Sequence, residues 1–173
     1  MTETPLETMT ESSAEAIAGA SREAAAEGTK QQKCALICSR DTLDGAYPAL
    51  VLGLNARRLG MEVHIFYTFM GLNLLRKGGL EKAKFIPPGV MGAIPGMSAM
   101  ATGMMKGKIE KANVPPLEDM MEMAELEGVK LVGCRMTVDM MGLSQDDFRD
   151  GVIIQAAEEF LKFAIGAELS LFT

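Results

Sequence analysis

From residue 33 onward, short apolar runs alternate with longer segments of helical spacing. Residues 34–39, Cys-Ala-Leu-Ile-Cys-Ser, are apolar at both parities, the pattern of a strand buried on both faces. A polar break follows, in which Thr42 or Asp44 can cap a helix and Gly45 loosens its first turn. Residues 46–59 carry Leu50 and Leu54, with the small Ala46, Ala49, Gly53 and Ala56, so the helix they predict can lie close to a sheet. Pro48 fits the first turn, and Arg57, Arg58 and Gly60 mark the end. Residues 61–69, rich in β-branched and aromatic side chains, read as a second strand. Strand, helix and strand in this order predict a parallel crossover.

The pattern then predicts a short helix over 71–75, a turn over 76–79 and an extended piece over 82–85. Residues 85–105 contain no charge, which raises a membrane-spanning reading. Pro87, Pro88 and Pro95, with Gly89, Gly92, Gly96 and Gly103, argue against a continuous spanning helix. The stretch reads instead as an apolar flap or subunit contact that leads into a helix over 97–111. A further helix begins after Val114, with Glu118 and Asp119 in its first turn. Its apolar face is Met120, Met121, Met123, Ala124 and Leu126, and Gly128 stops it. A strand over 129–134 comes next, then a loop or short helix over 137–144 and a turn capped by Ser144 with Asp147. A helix over 152–165, with Ala156, Phe160, Leu161 and Ala164 inward, and a last strand over 169–173 close the chain. Residues 1–32, rich in Ala, Glu, Ser and Thr, have no apolar stripe to dock and no apolar leader core. The expected organisation is a mobile tail over 1–32 and a single α/β domain over 33–173.

Composition narrows the function. A net charge of −6 and the absence of Trp argue against a nucleic-acid surface, which needs a basic patch and stacking platforms. The chain has three cysteines, no C-x-x-C and one histidine, so neither a disulfide framework nor a closed zinc site is expected. A reduced, cytoplasmic compartment is the default for such a chain. No phosphate-cradling glycine motif is present, and no cofactor is expected. The 15 methionines supply soft, adaptable apolar surface.

The candidate chemistry centres on Gly133-Cys134-Arg135, where an apolar strand ends abruptly in a thiol. Strand carboxyl ends are where ligands and reactive groups collect in open α/β sheets. A thiol acts as nucleophile only as thiolate. Arg135 beside Cys134 and the start of a helix just after it both favour that form, and Asp139 is a candidate orienting group. The competing reading is a cysteine that packs as a small hydrophobe. Cys34 and Cys38 are four apart and share a face of the first strand. Cys34 reads as core. Cys38, near the strand end, could approach the Cys134 crevice, although packing is its plainer role. His64 reads as a structural histidine. Asp41, Asp44 and Tyr47 lie on the crevice side and read as turn and cap residues.

Residues 34–50, 62–69, 94–105 and 132–142 together resemble the DsrE/DsrF-like sulfur-transfer proteins, in particular their longer DsrE-like branch, sometimes labelled peroxiredoxin-like. The likeness spans residues 33–173. It implies a three-layer α/β sandwich whose mainly parallel five-stranded sheet is flanked by helices, assembled into homo-oligomers. It also implies a persulfide-carrying cysteine, which falls on Cys134, a rhodanese-like sulfur donor and a TusA-like acceptor. Some longer relatives are thought to associate with membranes, which bears on residues 85–105. The leading expectation is therefore a sulfurtransferase or sulfur carrier working through Cys134, with residues 85–105 covering its sulfur. A non-catalytic oligomeric scaffold with a structural cysteine is the rival, and a thiol peroxidase is a third reading.

Overall fold

The structure is a computed structural model and describes residues 31–173. The predicted tail, residues 1–32, lies outside the described residues except for its last two positions. Five strands form one parallel sheet in the order β4-β3-β2-β1-β5. They are β1 (Lys33–Cys38), β2 (Glu62–Tyr67), β3 (Lys130–Cys134), β4 (Ile153–Gln155) and β5 (Leu169–Phe172). The helices are α1 (Leu43–Arg58), α2 (Met97–Lys111), α3 (Leu117–Leu126), α4 (Arg135–Met140) and α5 (Ala157–Ala164).

Strand alternation sorts the sheet residues onto two faces. Cys34, Leu36, Cys38, Val63, Ile65, Tyr67 and Leu131 face the larger core, which α1 and α3 cover with Leu50, Leu54, Met120 and Met121. Ala35, Phe66, Val132 and Cys134 face the smaller one, which α5 covers through Phe160, stacked on Phe66 at 4.6 Å. The small residues expected to bring α1 close do so: Ala46, Ala49 and Ala56 are buried, and a Cβ at Gly53 would stand 2.9 Å from Ile65. At its end, Arg57 donates to the Glu127 carbonyl at 2.6 Å and to the Met61 carbonyl at 3.2 Å. The first bond fastens the end of α1 to the end of α3 and the second holds the turn into β2, beyond the dipole role its position suggests.

One predicted helix is corrected. Residues 152–165 are not one helix: Ile153–Gln155 is the edge strand β4, paired with β3, and the helix is confined to Ala157–Ala164. The β-branched Val152-Ile153-Ile154 run favours the pleated form, and ladder bonds to β3 decide it. Of the predicted inward residues, Phe160 is buried, whereas Ala156 and Leu161 are exposed. Leu126, assigned to the apolar face of its helix, is also exposed. The helix predicted over 97–111 forms over those residues but buries none of them, and no helix among the described residues is long and apolar enough to cross a membrane.

Between β2 and α2 the chain makes a 3-10 segment, Phe69–Leu75, that folds back over the strand ends. The Thr68 N–H donates to the Cys38 carbonyl and the Gly71 N–H to the Ser39 carbonyl, each at 3.0 Å. Leu72, Leu74 and Leu75 are fully buried beneath it. Gly71 is required by contact: a Cβ there would collide with the carbonyl oxygen of Cys38. We expect Gly71→Ala to destabilise the fold by about 1–3 kcal/mol, as overpacking against rigid backbone does. Urea unfolding checks this, and a change below about 0.5 kcal/mol would contradict the close approach.

Candidate functional site

Cys134 ends β3 and immediately precedes α4. It is 3% exposed and faces the smaller core. The register of β2 against β3 pairs Tyr67 with Gly133, which sets Thr68 beside Cys134. Gly133 assists on the opposite face, where a Cβ would stand 3.0 Å from Leu72. Leu72 thereby fits against β3 and draws the 3-10 segment in. On the other side, Thr137 is one turn into α4 and fully buried, the one buried polar residue among those described. Its hydroxyl lies 3.3 Å from that of Thr68 and accepts the Phe69 N–H at 3.2 Å. Phe69 holds a left-handed backbone, φ 47°, which is costly for a bulky residue.

The sulfur therefore sits in opposing influences. Burial, the largest, pushes the Cys134 thiol up; the Thr137 hydroxyl and N–H, the Thr68 hydroxyl and the Met136 N–H donate to it and bring it below its ordinary value. Hydrogen bonds to the charged form favour that form. Arg135 and Asp139 are both exposed on α4, while the influences on the sulfur come from burial, Thr137, Thr68 and Met136. Thr68 and Thr137 were not singled out in the sequence. The usable signal was a hydroxyl three residues after the cysteine, in the first turn of the predicted helix, together with one just past the neighbouring strand.

Cys38 stands apart. It lies on the opposite sheet face, is fully buried, and is directed at the carbonyls of Arg40 and Gly45 at 3.5 and 3.7 Å. Burial is the main reason its thiol is pushed up, as it is for Cys34. All three cysteines are free. Among the described residues no group of three or more His, Cys, Asp or Glu could hold a metal ion. His64 stacks on Phe163 with ring centroids 3.5 Å apart. Asp41 accepts from Asn73 at 3.0 Å, Asp44 pairs with Arg40 at 3.5 Å, and Tyr47 donates to the Pro115 carbonyl at 3.2 Å. These are structural roles.

The apolar stretch does not cover the thiol. The Leu43 N–H bonds the Lys84 carbonyl at 3.0 Å, which ties residues 82–85 to the start of α1. Phe85 and Met105 then pack on the larger core, on the face away from Cys134. The residues that close on the sulfur are Thr68, Met136 and Thr137. A cavity of about 720 Å³ lies beneath α2, lined by Leu43, Tyr47, Leu80, Ile109 and Pro116 among others, and does not include Cys134.

A parallel five-stranded sheet with helices on both faces defines an α/β protein, and the donor-rich thiol at the end of β3 is its candidate site. The chain belongs to the DsrE/DsrF/DrsH-like family, whose model matches residues 30–172. It is 37% identical over 157 residues to the sulfur carrier protein DsrE2 of Allochromatium vinosum, covering 83% of this chain and 99% of that one. It is 35% identical over 142 residues to the uncharacterized protein YrkE of Bacillus subtilis, covering 75% of this chain and 89% of that one. Among solved structures, the ychN protein from E. coli superposes with a TM-score of 0.56 at 16% identity, over 83% of this chain and all of that one, which supports the fold.

Two measurements check the electrostatics of Cys134 and of His64. Native-state alkylation at pH 7 with peptide mapping should label Cys134 and spare Cys34 and Cys38; faster labelling of Cys38 would contradict the face assignment. Burial is the main influence holding His64 below its ordinary value, against Glu62, which raises it. The unfolded chain then binds a proton that the folded one resists, so stability should fall as pH drops below about 6.5. Replacing His64 by Phe should flatten that limb of a pH–stability curve, and an unchanged slope would show that His64 does not contribute.

Proposed function

We propose that this protein is a cytoplasmic sulfur carrier that takes up sulfane sulfur as a persulfide on Cys134 and passes it on. The observation that carries this reading is a free thiol at the end of a parallel strand and the start of a helix, where neutral donors bring it below its ordinary value. The name of the Allochromatium vinosum relative supports the carrier role. Sulfur exchange needs a thiolate and no metal. The Cys134 thiolate attacks the outer sulfur of a donor persulfide. A new S–S bond forms at Cys134, the donor's S–S bond breaks, and the donor leaves as a thiolate. The acceptor thiolate then attacks the outer sulfur on Cys134 and releases the Cys134 thiolate. No net oxidation occurs.

A rhodanese-like donor and a TusA-like acceptor are the partner classes that suit this exchange. Three free cysteines suit a reduced compartment. A homo-oligomer suits the thinly covered second face, where Leu161, Ile165 and Phe172 are 54%, 75% and 69% exposed. The 3% exposure of Cys134 favours a second reading, a scaffold subunit with a structural cysteine.

Incubation with a sulfane donor and intact-mass measurement separates the two. An adduct of about +32 Da should appear, map to Cys134 and vanish in Cys134→Ser. An adduct that survives the substitution would refute the assignment, and the absence of any adduct would favour the scaffold.

A further inference from the structure

We propose that the cavity beneath α2 is a second binding site, separate from Cys134, for a small amphiphilic cation. An apolar body fills the cavity, and an ammonium group meets the carboxylates at its mouth. The inference goes beyond the carrier reading and does not depend on it.

The cavity volume, about 720 Å³, lies in the roughly 300–1,000 Å³ range of small-molecule sites. Leu43, Leu80 and Leu117 line it and are otherwise buried, at 3%, 6% and 6% exposed. Half-buried Tyr47, Ile109 and Val114 complete the apolar wall. The roof, α2, is 15 residues long and buries none of them. It is held at its two ends. Near its start, the Ser98 hydroxyl donates to the Phe85 carbonyl at 3.2 Å, and the Thr102 hydroxyl accepts the Phe85 N–H at 2.9 Å. Beyond its end, the chain turns through Asn113 at φ 53°, a left-handed conformation that asparagine tolerates better than most residues. The Tyr47 hydroxyl then holds the Pro115 carbonyl at 3.2 Å, and Pro115 and Pro116 stiffen that wall. Fixed at both ends, α2 spans the space and does not settle into it. Water against this wall is unfavourable, so an apolar body gains by displacing it.

The cavity defines the site, and the charges at its mouth select the ligand. Glu81, Glu110, Glu118 and Asp119 line it against one cation, Lys106. Arg149 reaches Glu118 at 3.3 Å from outside the lining and is shared with Glu125 at 2.7 Å. Among the described residues no ion pair engages Glu81, Glu110 or Asp119. An ammonium group carried by an apolar body meets these carboxylates without losing the apolar contact. An anion of the same shape meets like charge. Cys134 is not part of the lining, so sulfur loading plays no part in the test.

The test uses the full chain, unloaded, and three eight-carbon probes that differ in charge: n-octylammonium, octanol and octanoate. Isothermal titration calorimetry at low salt should show one site for octylammonium, with octanol about threefold weaker and octanoate at least about tenfold weaker. Ile109→Trp, which fills the cavity from α2, should weaken octylammonium at least about tenfold, whereas attraction to the chain's general negative charge would survive it. Glu81→Gln with Glu110→Gln should bring octylammonium level with octanol. Octylammonium bound no more tightly than octanoate overturns the proposal. The absence of any site, as when α2 closes down or a second copy covers the cavity, overturns it too, as does a folded Ile109→Trp that binds like the wild type. Should Ile109→Trp not fold, the double glutamine variant decides: a lost preference for octylammonium over octanol supports the site, and an unchanged preference overturns it.

Discussion

The register of β2 against β3 is the constraint on which the Cys134 site depends. Pairing Tyr67 with Gly133 leaves Thr68 as the next residue beside Cys134, at the point where both strands stop. A slip of one residue would turn every side chain of β2 to the other face. Large side chains on both faces of β2 resist such a slip: Val63, Ile65 and Tyr67 fill one core while Phe66 stacks on Phe160 in the other. Fully burying side chains of this size contributes about 1.5–3 kcal/mol each, far more than the hydrogen bonds at the strand end. The hydrophobic core therefore sets the position of Thr68, and the site chemistry inherits it.

Around the sulfur itself the contest is between burial and donation. Burial pushes a thiol up, and it is the main influence on Cys34 and Cys38. Cys134 is as enclosed as many core residues, at 3% exposed, yet the donors around it outweigh burial, which at Cys38 they do not. Cys38 meets the Arg40 and Gly45 carbonyls as well as donors from Thr173 and Arg40, and burial still prevails there; at Cys134 the donors from Thr137, Thr68 and Met136 prevail. The two cysteines differ in which influence wins, burial at Cys38 and donation at Cys134.

Much of this was legible in the sequence. The runs at 34–39, 61–69 and 129–134 each became a buried strand, and the helix between the first two forms where its small residues indicated. The fold class and the family were both readable from motifs. Strand β4 was not, because a three-residue edge strand leaves too short a pattern to stand out against a following helix, and pairing with β3 decides it. The placement of residues 85–105 was also missed. An uncharged stretch announces that it wants cover without saying which face supplies it, and a backbone bond from Leu43 to Lys84 makes that choice. At the site, Cys134 stood out by its position at a strand end, whereas Thr68 and Thr137 meet only across the fold, 69 residues apart in the chain. Arg135 looked helpful because it is adjacent in sequence, but adjacent helix residues project in different directions.

The most direct measurement is a high-resolution crystal structure of the protein after loading with sulfane sulfur. One additional sulfur atom bonded to the Cys134 Sγ, within hydrogen-bonding reach of the Thr68 or Thr137 hydroxyl, is the expected result. An unmodified Cys134, or the extra sulfur on Cys38, would contradict a carrier built around the end of β3.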